Sequence, residues 1–274
     1  MKKIFLILVI LGTGYIFGIK NVAKDIAKDF ILVPLRNFNL NSKVVRCPLD
    51  SYQIAYFGQS NSTNFVKPKA SIPLGSNIFQ YDWQSRKCYK YKEPLIGLQN
   101  DSLFGNVMTY TANYISDKSA KPIIIIPFGK AGTSVLDWAY LKSSIHHNSV
   151  LEKIKSDNLY PDIFLWHQGE NDSIYSLNYN LYKDALQVVL DRTNQYFPKS
   201  YFGIALVSIC RENKWEPVRE AQKEIIKLNK NAFLSADSDI FYGNEYRYDN
   251  CHFNSKGAKK LGKEYYESIK VFFN

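Results

Sequence analysis

Gln53-Ile54-Ala55-Tyr56-Phe57-Gly58-Gln59-Ser60-Asn61-Ser62 is an apolar run that stops at a glycine and passes at once into small polar residues. An apolar stretch this short reads as a buried strand at 53–57, and the glycine permits a tight turn that can present a side chain at the head of the next element. The same pattern recurs at 123–127, 163–167 and 201–207, each run ending in a polar or glycine-containing segment, with a fifth, weaker run at 232–235. Between these runs lie segments of helical period at 135–155, 177–196 and 218–228, and a last helix is expected at 255–272. Strands alternating with helices predict an α/β domain, a three-layer α/β/α sandwich around a central, mainly parallel sheet. In open parallel sheets ligands bind beyond the carboxyl ends of the strands, so the residues just after these runs are where chemistry is expected.

The whole chain has 274 residues, 46% hydrophobic, 22% charged and 15% aromatic, which excludes disorder, collagen and coiled coil as descriptions of it. Residues 46–274 are near the upper end of what one core serves and are read as one domain. Lys+Arg 35 against Asp+Glu 25 gives a net charge of +10. Because the densest basic groups, 118–130 and 256–270, are interleaved with apolar residues and no binding module accompanies them, nucleic acid is not an expected partner.

Lys2 and Lys3 precede the uncharged stretch 4–19, the charged and then apolar layout of an export signal. Residues 1–20 therefore read as a signal anchor or signal peptide and 21–45 as a stalk or linker. No small-x-small cleavage site follows, and Lys20 and Lys24 can snorkel, which favours an uncleaved membrane anchor. The basic flank keeps that side cytoplasmic and places the rest in the cell envelope, in the periplasm or outside the cell. Cys47, Cys88, Cys210 and Cys251 would pair in such a compartment. Of three connectivities, Cys47 with Cys88 and Cys210 with Cys251 is preferred, the second because its segments fall at one edge of the sheet. Four buried free thiols are the alternative; the cysteines and histidines lack zinc-site spacing, so no metal is expected.

Four segments carry polar groups suited to chemistry. Ser60 follows the first strand in the position of a nucleophile, although Ser62 replaces the last glycine of a GxSxG elbow. Asp249 and His252, three apart on one loop, could supply the base that takes a serine proton and the acid that holds the base's tautomer. Asn171, in Trp166-His167-Gln168-Gly169-Glu170-Asn171-Asp172, offers a side-chain donor to a developing oxyanion. The glycine-containing loop 129–134 offers a backbone N–H, and it lacks the Walker pattern of a phosphate-binding loop.

In this order and spacing the four segments resemble the four blocks of the SGNH (GDSL-like) hydrolase superfamily, and their wording is similar to the sialate O-acetylesterase-like branch of carbohydrate esterases. The resemblance runs from about residue 53 to 262. It implies the SGNH hydrolase or flavodoxin-like fold, Ser60 as nucleophile, His252 as general base and Asp249 as orienting acid. It also implies an oxyanion hole made of the Ser60 N–H, the Gly132 N–H and the Asn171 side chain, with no cofactor. Relatives often carry paired glycines where this chain has Ala131-Gly132, which leaves the register of that donor open between the two. Gln59, Gln168 and Glu170 flank the centre and either contact sugar hydroxyls or brace the loops. Trp83, Trp138 and Trp215 either stack on a sugar or pack in the core, and Tyr242, Tyr246 and Tyr248 either line a cleft or form a packed lid. The function expected is removal of O-acetyl groups from an acetylated glycan or sugar; the alternatives are an exported carbohydrate O-acetyltransferase using the same residues and a non-catalytic glycan-binding protein.

Overall fold

The computed structural model describes residues 43–70, 75, 77–99, 102–211 and 213–273. The expected signal or anchor at 1–20 and the stalk up to residue 42 lie outside the described residues. Among the described residues no helix is long and apolar enough to cross a membrane.

The sheet has eight strands: β1 (Val44–Val45), β2 (Tyr52–Gly58), β3 (Ile78–Asp82), β4 (Lys87–Lys90), β5 (Ile123–Pro127), β6 (Ile163–His167), β7 (Tyr201–Leu206) and β8 (Ala232–Asp237). Their order across the sheet is β1-β4-β3-β5-β2-β6-β7-β8. All pairs from β3 through β8 are parallel, while β4 runs antiparallel to both β1 and β3. The interior strands are buried on both faces, so they read in sequence as continuous apolar runs. Ala55 and Phe57 point into one core with Ile124, Ile126, Phe164 and Trp166, and Ile54 and Tyr56 into the other with Ile123, Ile125, Ile163 and Leu165.

The first core is closed by α2 (Val135–Tyr140), α3 (Lys142–Ser156), α5 (Tyr179–Tyr196) and α6 (Glu216–Leu228). The second is closed by α1 (Met108–Ser116) and α7 (Ser255–Ile269). This is the expected three-layer α/β/α sandwich. One more helix, α4 (Glu170–Ile174), is a short turn after β6.

The helix expected at 135–155 is broken in two. Leu141 is extended, at φ −110° and ψ −151°, and Arg192 of α5 donates to the carbonyls of Trp138 and Ala139, both at 2.7 Å. The end of α2 is thus satisfied by a side chain from a neighbouring helix rather than by its own next turn. The last helix likewise gives way to a 3-10 turn at Lys270–Phe272.

Both preferred disulfides form. Cys47–Cys88 staples the sheet edge, and Cys210–Cys251 joins the segment after β7 to the loop before α7. Chain order reverses at β2, which lies between β5 and β6, so the carboxyl end of β2 opens onto the crevice where such sheets bind ligands.

Candidate active site

Ser60 is delivered by the end of β2. Gly58 sits at φ +131° against β6, where an added Cβ would lie 2.0 Å from the His167 carbonyl oxygen, so only glycine fits. The Gln59 N–H still reaches that carbonyl at 3.0 Å, and the chain then turns through one 3-10 turn, Ser60–Ser62. The Thr63 N–H closes this turn on the Ser60 carbonyl at 2.9 Å, and the Ser62 and Thr63 hydroxyls donate to the Gln59 and Ser60 carbonyls, both at 2.7 Å. Ser60 is 7% exposed, and among the described residues neither its hydroxyl nor its N–H has a partner.

Asp249 and His252 form a closed unit. Asp249 Oδ1 accepts from the N–H groups of Cys251 (3.1 Å) and His252 (2.7 Å), while Oδ2 lies 2.7 Å from His252 Nδ1. Burial pushes the Asp249 carboxyl up, but the hydrogen bonds and charge of His252 outweigh it and hold the group below its ordinary value. The carboxylate therefore keeps the ring proton on Nδ1 and leaves Nε2 as the free nitrogen. Phe65 stacks on the imidazole with centroids 4.5 Å apart, fixing the ring plane.

The residues on either side of Ser60 tie it to three other loops. The Asn61 carboxamide donates to the Cys251 carbonyl at 3.1 Å and accepts from the Phe253 N–H at 3.4 Å, so it holds the backbone on both flanks of His252. Gln59 Oε1 accepts from the Asn171 N–H (3.0 Å) and the Gln168 side chain (3.1 Å), and the Gly58 carbonyl accepts from the Lys130 N–H at 2.9 Å. The Ser60 turn, the Asp249–His252 loop, the 129–133 loop and the start of α4 thus converge.

In the 129–134 loop the two candidate backbone donors differ in their bonds. The Ala131 N–H is taken by the Gln99 carbonyl at 3.2 Å, whereas Gly132, at φ +71° with open space around it, has no described acceptor for its N–H. The Asn171 side chain, partly exposed at the second position of α4, also has no described partner. The Ser60 and Gly132 N–H groups and the Asn171 side chain thus have no partner among the described residues.

Gln59, Gln168 and Glu170 are bonded into the loops around Ser60. All three are buried. Gln168 bonds the Thr133 carbonyl at 3.0 Å and also Asp172, whose carboxylate in turn holds Ser134 and the Val135 N–H. Glu170 Oε1 accepts from Asn61 at 2.7 Å and lies 3.2 Å from His167 Nε2, with Tyr265 on the far side of that imidazole at 2.6 Å. Burial pushes the Glu170 carboxyl up, but His167 and Asn61 bring it below its ordinary value. Trp83 and Trp138 are core residues, and Trp215 packs against the core and donates to the Leu177 carbonyl. Tyr242 is exposed and lines a recess of about 240 Å³ with Ile209, Gly243, Asn244 and Asn250, beside Asp249.

Two contributors escape sequence reading. Asn61 lies inside the Gly-Gln-Ser-Asn run, but its partners beside His252 are 190 and 192 residues away. Arg247 is fully buried, and its guanidinium donates to the carbonyls of Phe241, Ile209, Cys251 and Ser238 at 2.6–3.0 Å. Nothing in the sequence separates it from a surface arginine.

A three-layer sandwich with these four loops at the carboxyl edge of its sheet defines an ester hydrolase of the SGNH type. The chain belongs to the carbohydrate esterase, sialic acid-specific acetylesterase family, whose sequence model matches residues 56–270. No curated protein matches it at the sequence level. Among solved structures it is similar to a protein from Arabidopsis thaliana, with a TM-score of 0.67 and 16% identity over 82% of this chain and 100% of that one. It is similar to a carbohydrate acetylesterase from Xanthomonas citri at a TM-score of 0.55 and 14% identity, covering 81% of this chain and 55% of that one. A carbohydrate esterase family 3 protein from Talaromyces cellulolyticus gives 0.51 and 14%, over 81% and 97%. At these identities the structural likeness speaks to the fold alone.

Proposed function

We propose that this chain is a serine esterase that removes O-acetyl groups from a carbohydrate through Ser60, His252 and Asp249. The observation that carries the reading is that Asn61, next to Ser60, bonds the backbone on both sides of His252, whose Nδ1 is held by Asp249. A serine hydroxyl is a weak nucleophile until an adjacent base takes its proton, and a base is useful only in the right tautomer.

In the first half-reaction Ser60 Oγ bonds to the ester carbonyl carbon as its proton passes to His252 Nε2. Negative charge gathers on the carbonyl oxygen, which accepts from the N–H groups of Ser60 and Gly132 and from the Asn171 amide. The carbon–oxygen bond to the sugar then breaks and His252 returns the proton to the leaving hydroxyl. Water then attacks the acetyl carbon as its proton passes to His252, the bond to Ser60 Oγ breaks to release acetate, and His252 gives that proton back to Ser60 Oγ. The chain's own groups supply every proton transfer, and removal of one oxyanion donor in such sites costs on the order of 10² to 10³ in rate.

Two disulfides support an exported domain, since such bonds persist in oxidising compartments. Residues 1–20 as its membrane anchor complete this proposal, and the protein would then partition with membranes until treated with detergent.

Acetate release from an aryl acetate and from acetylated sugars tests the chemistry. Wild type is expected to turn over and Ser60→Ala to be inactive with an unchanged melting temperature. Full activity in Ser60→Ala would remove the serine from the mechanism.

A further inference from the structure

Beneath the Ser60 turn, side chains from β2, β6, α4 and α7 close into a ring around Asn61 that takes no part in the proton transfers. The Asn61 carboxamide donates to Glu170 Oε1 at 2.7 Å, and His167 Nε2 reaches the same oxygen at 3.2 Å. On its other side, His167 Nδ1 lies 2.6 Å from the Tyr265 hydroxyl. Tyr265 sits edge-on to Tyr56 with centroids 5.8 Å apart, and the Tyr56 hydroxyl donates to the Asn61 carbonyl at 3.2 Å, which closes the ring. Asn61 is buried, and Tyr56, His167, Glu170 and Tyr265 are fully so. The residue next to Ser60 is thereby held through both its backbone and its side chain.

Glu170 is the costly member. Burial pushes its carboxyl up, but His167 and Asn61 outweigh burial, so an anion is kept here, and its Oε2 has no partner among the described residues. A neutral amide of the same shape would avoid that desolvation cost. What the amide lacks is direction. A carboxylate only accepts, so it takes the Asn61 carboxamide by its NH2 end and repels its oxygen. The same NH2 donates to the Cys251 carbonyl, which leaves Oδ1 for the Phe253 N–H. Turned end for end, the carboxamide would set its oxygen against two acceptors and its NH2 against a donor. The backbone on both sides of His252 would then lose its tie to the Ser60 turn.

We propose that Glu170, braced by His167 and Tyr265, is a positioning residue that fixes the orientation of Asn61 and, through it, the register between Ser60 and His252. This rests on the esterase reading above and adds to it a charge that touches neither the substrate nor the reacting atoms.

The test follows acetate release from an aryl acetate by the full chain, and where turnover is slow, the rate at which a fluorophosphonate labels Ser60. Glu170→Gln is expected to lower kcat about 10- to 100-fold with KM within about twofold, because a misplaced base slows the chemical step and leaves binding alone. Added to Asn61→Ala, the same substitution is expected to change the rate by less than about twofold, since its route to His252 is already gone. A role in packing alone would repeat the loss in both backgrounds. Should Glu170→Gln not fold, Tyr265→Phe carries the same cycle, with a loss of about threefold or more in the wild-type background that is absent beside Asn61→Ala. A rate within about threefold of wild type for Glu170→Gln, or an undiminished loss beside Asn61→Ala, would overturn the assignment while leaving the esterase standing. In the Tyr265→Phe cycle, an unchanged rate or an undiminished loss would do the same. Failure of the esterase reading itself looks different: no acetate release by wild type, or full release by Ser60→Ala.

Discussion

Asp249 uses its two oxygens for different purposes, one to fold the loop and one to hold the imidazole. Asparagine can imitate the first and not the second. Its Oδ1 can still accept from the Cys251 and His252 N–H groups, but its amide would face Nδ1 with a donor and favour the tautomer whose proton sits on Nε2. Asp249→Asn is therefore expected to lower kcat on the order of 10³ to 10⁴ while thermal unfolding barely moves. A variant within tenfold of wild type in acetate release would mean that the carboxylate only shapes the loop.

At the scale of elements, the loop from Arg247 to Phe253 is held from below. Arg247 gathers four carbonyls from three segments, the Cys210–Cys251 bond pins the same stretch, and Asn61 fastens it to the Ser60 turn. Removing the guanidinium strands those carbonyls in a buried setting, where each unmet group costs about 1 to 3 kcal/mol. Arg247→Met is expected to lose about 3 to 5 kcal/mol, measured as a shift of the urea midpoint. A shift below about 1 kcal/mol would show that water replaces the arginine there. This underlay was not readable from sequence, because an arginine's burial is decided by residues far away in the chain. What was readable were the interior strands, whose two-sided burial forces continuous apolar runs, and the polar segments that must follow them. The β3–β4 hairpin escaped because a short pair near the sheet edge, with Asp82, Lys87 and Lys90 at its ends, carries no such run. Helix α1 escaped because its core face includes the threonines Thr109 and Thr111 beside Met108, Tyr110 and Ala112, which blurs the apolar period. Ser60, His252 and Asn171 were legible as residue types after strands or on a loop, whereas the Gln99 carbonyl that takes the Ala131 N–H comes from a distant segment and only the fold supplies it.

For the molecule as a whole, acid stability turns on two neighbouring histidines in α3 that pack into the core under the 129–138 segment. His146 lies against Trp83 and Phe128 and bonds the Phe128 carbonyl at 2.9 Å, and His147 stacks on Phe128. Burial, reinforced by Lys130 and Lys153, pushes His146 down to about 4 despite that hydrogen bond, and burial with Arg192 lowers His147 well below its ordinary value. Both are therefore neutral in the fold and protonated more readily in the unfolded chain. Their contribution is fully present above about pH 6.5 and is lost as pH falls towards 4, because in that window the unfolded state binds the extra protons. The fall from His146 alone is on the order of 3 kcal/mol. Carboxylates held below their ordinary values, such as Asp237 and Glu170, withdraw stability only at lower pH, so the two classes separate on the pH axis. Urea midpoints measured from pH 7.5 to 4 should decline through this window, and His146→Gln, which can still donate to the Phe128 carbonyl but does not titrate, should flatten the decline. An unchanged slope in that variant would assign the acid sensitivity to other groups and leave His146 as packing alone.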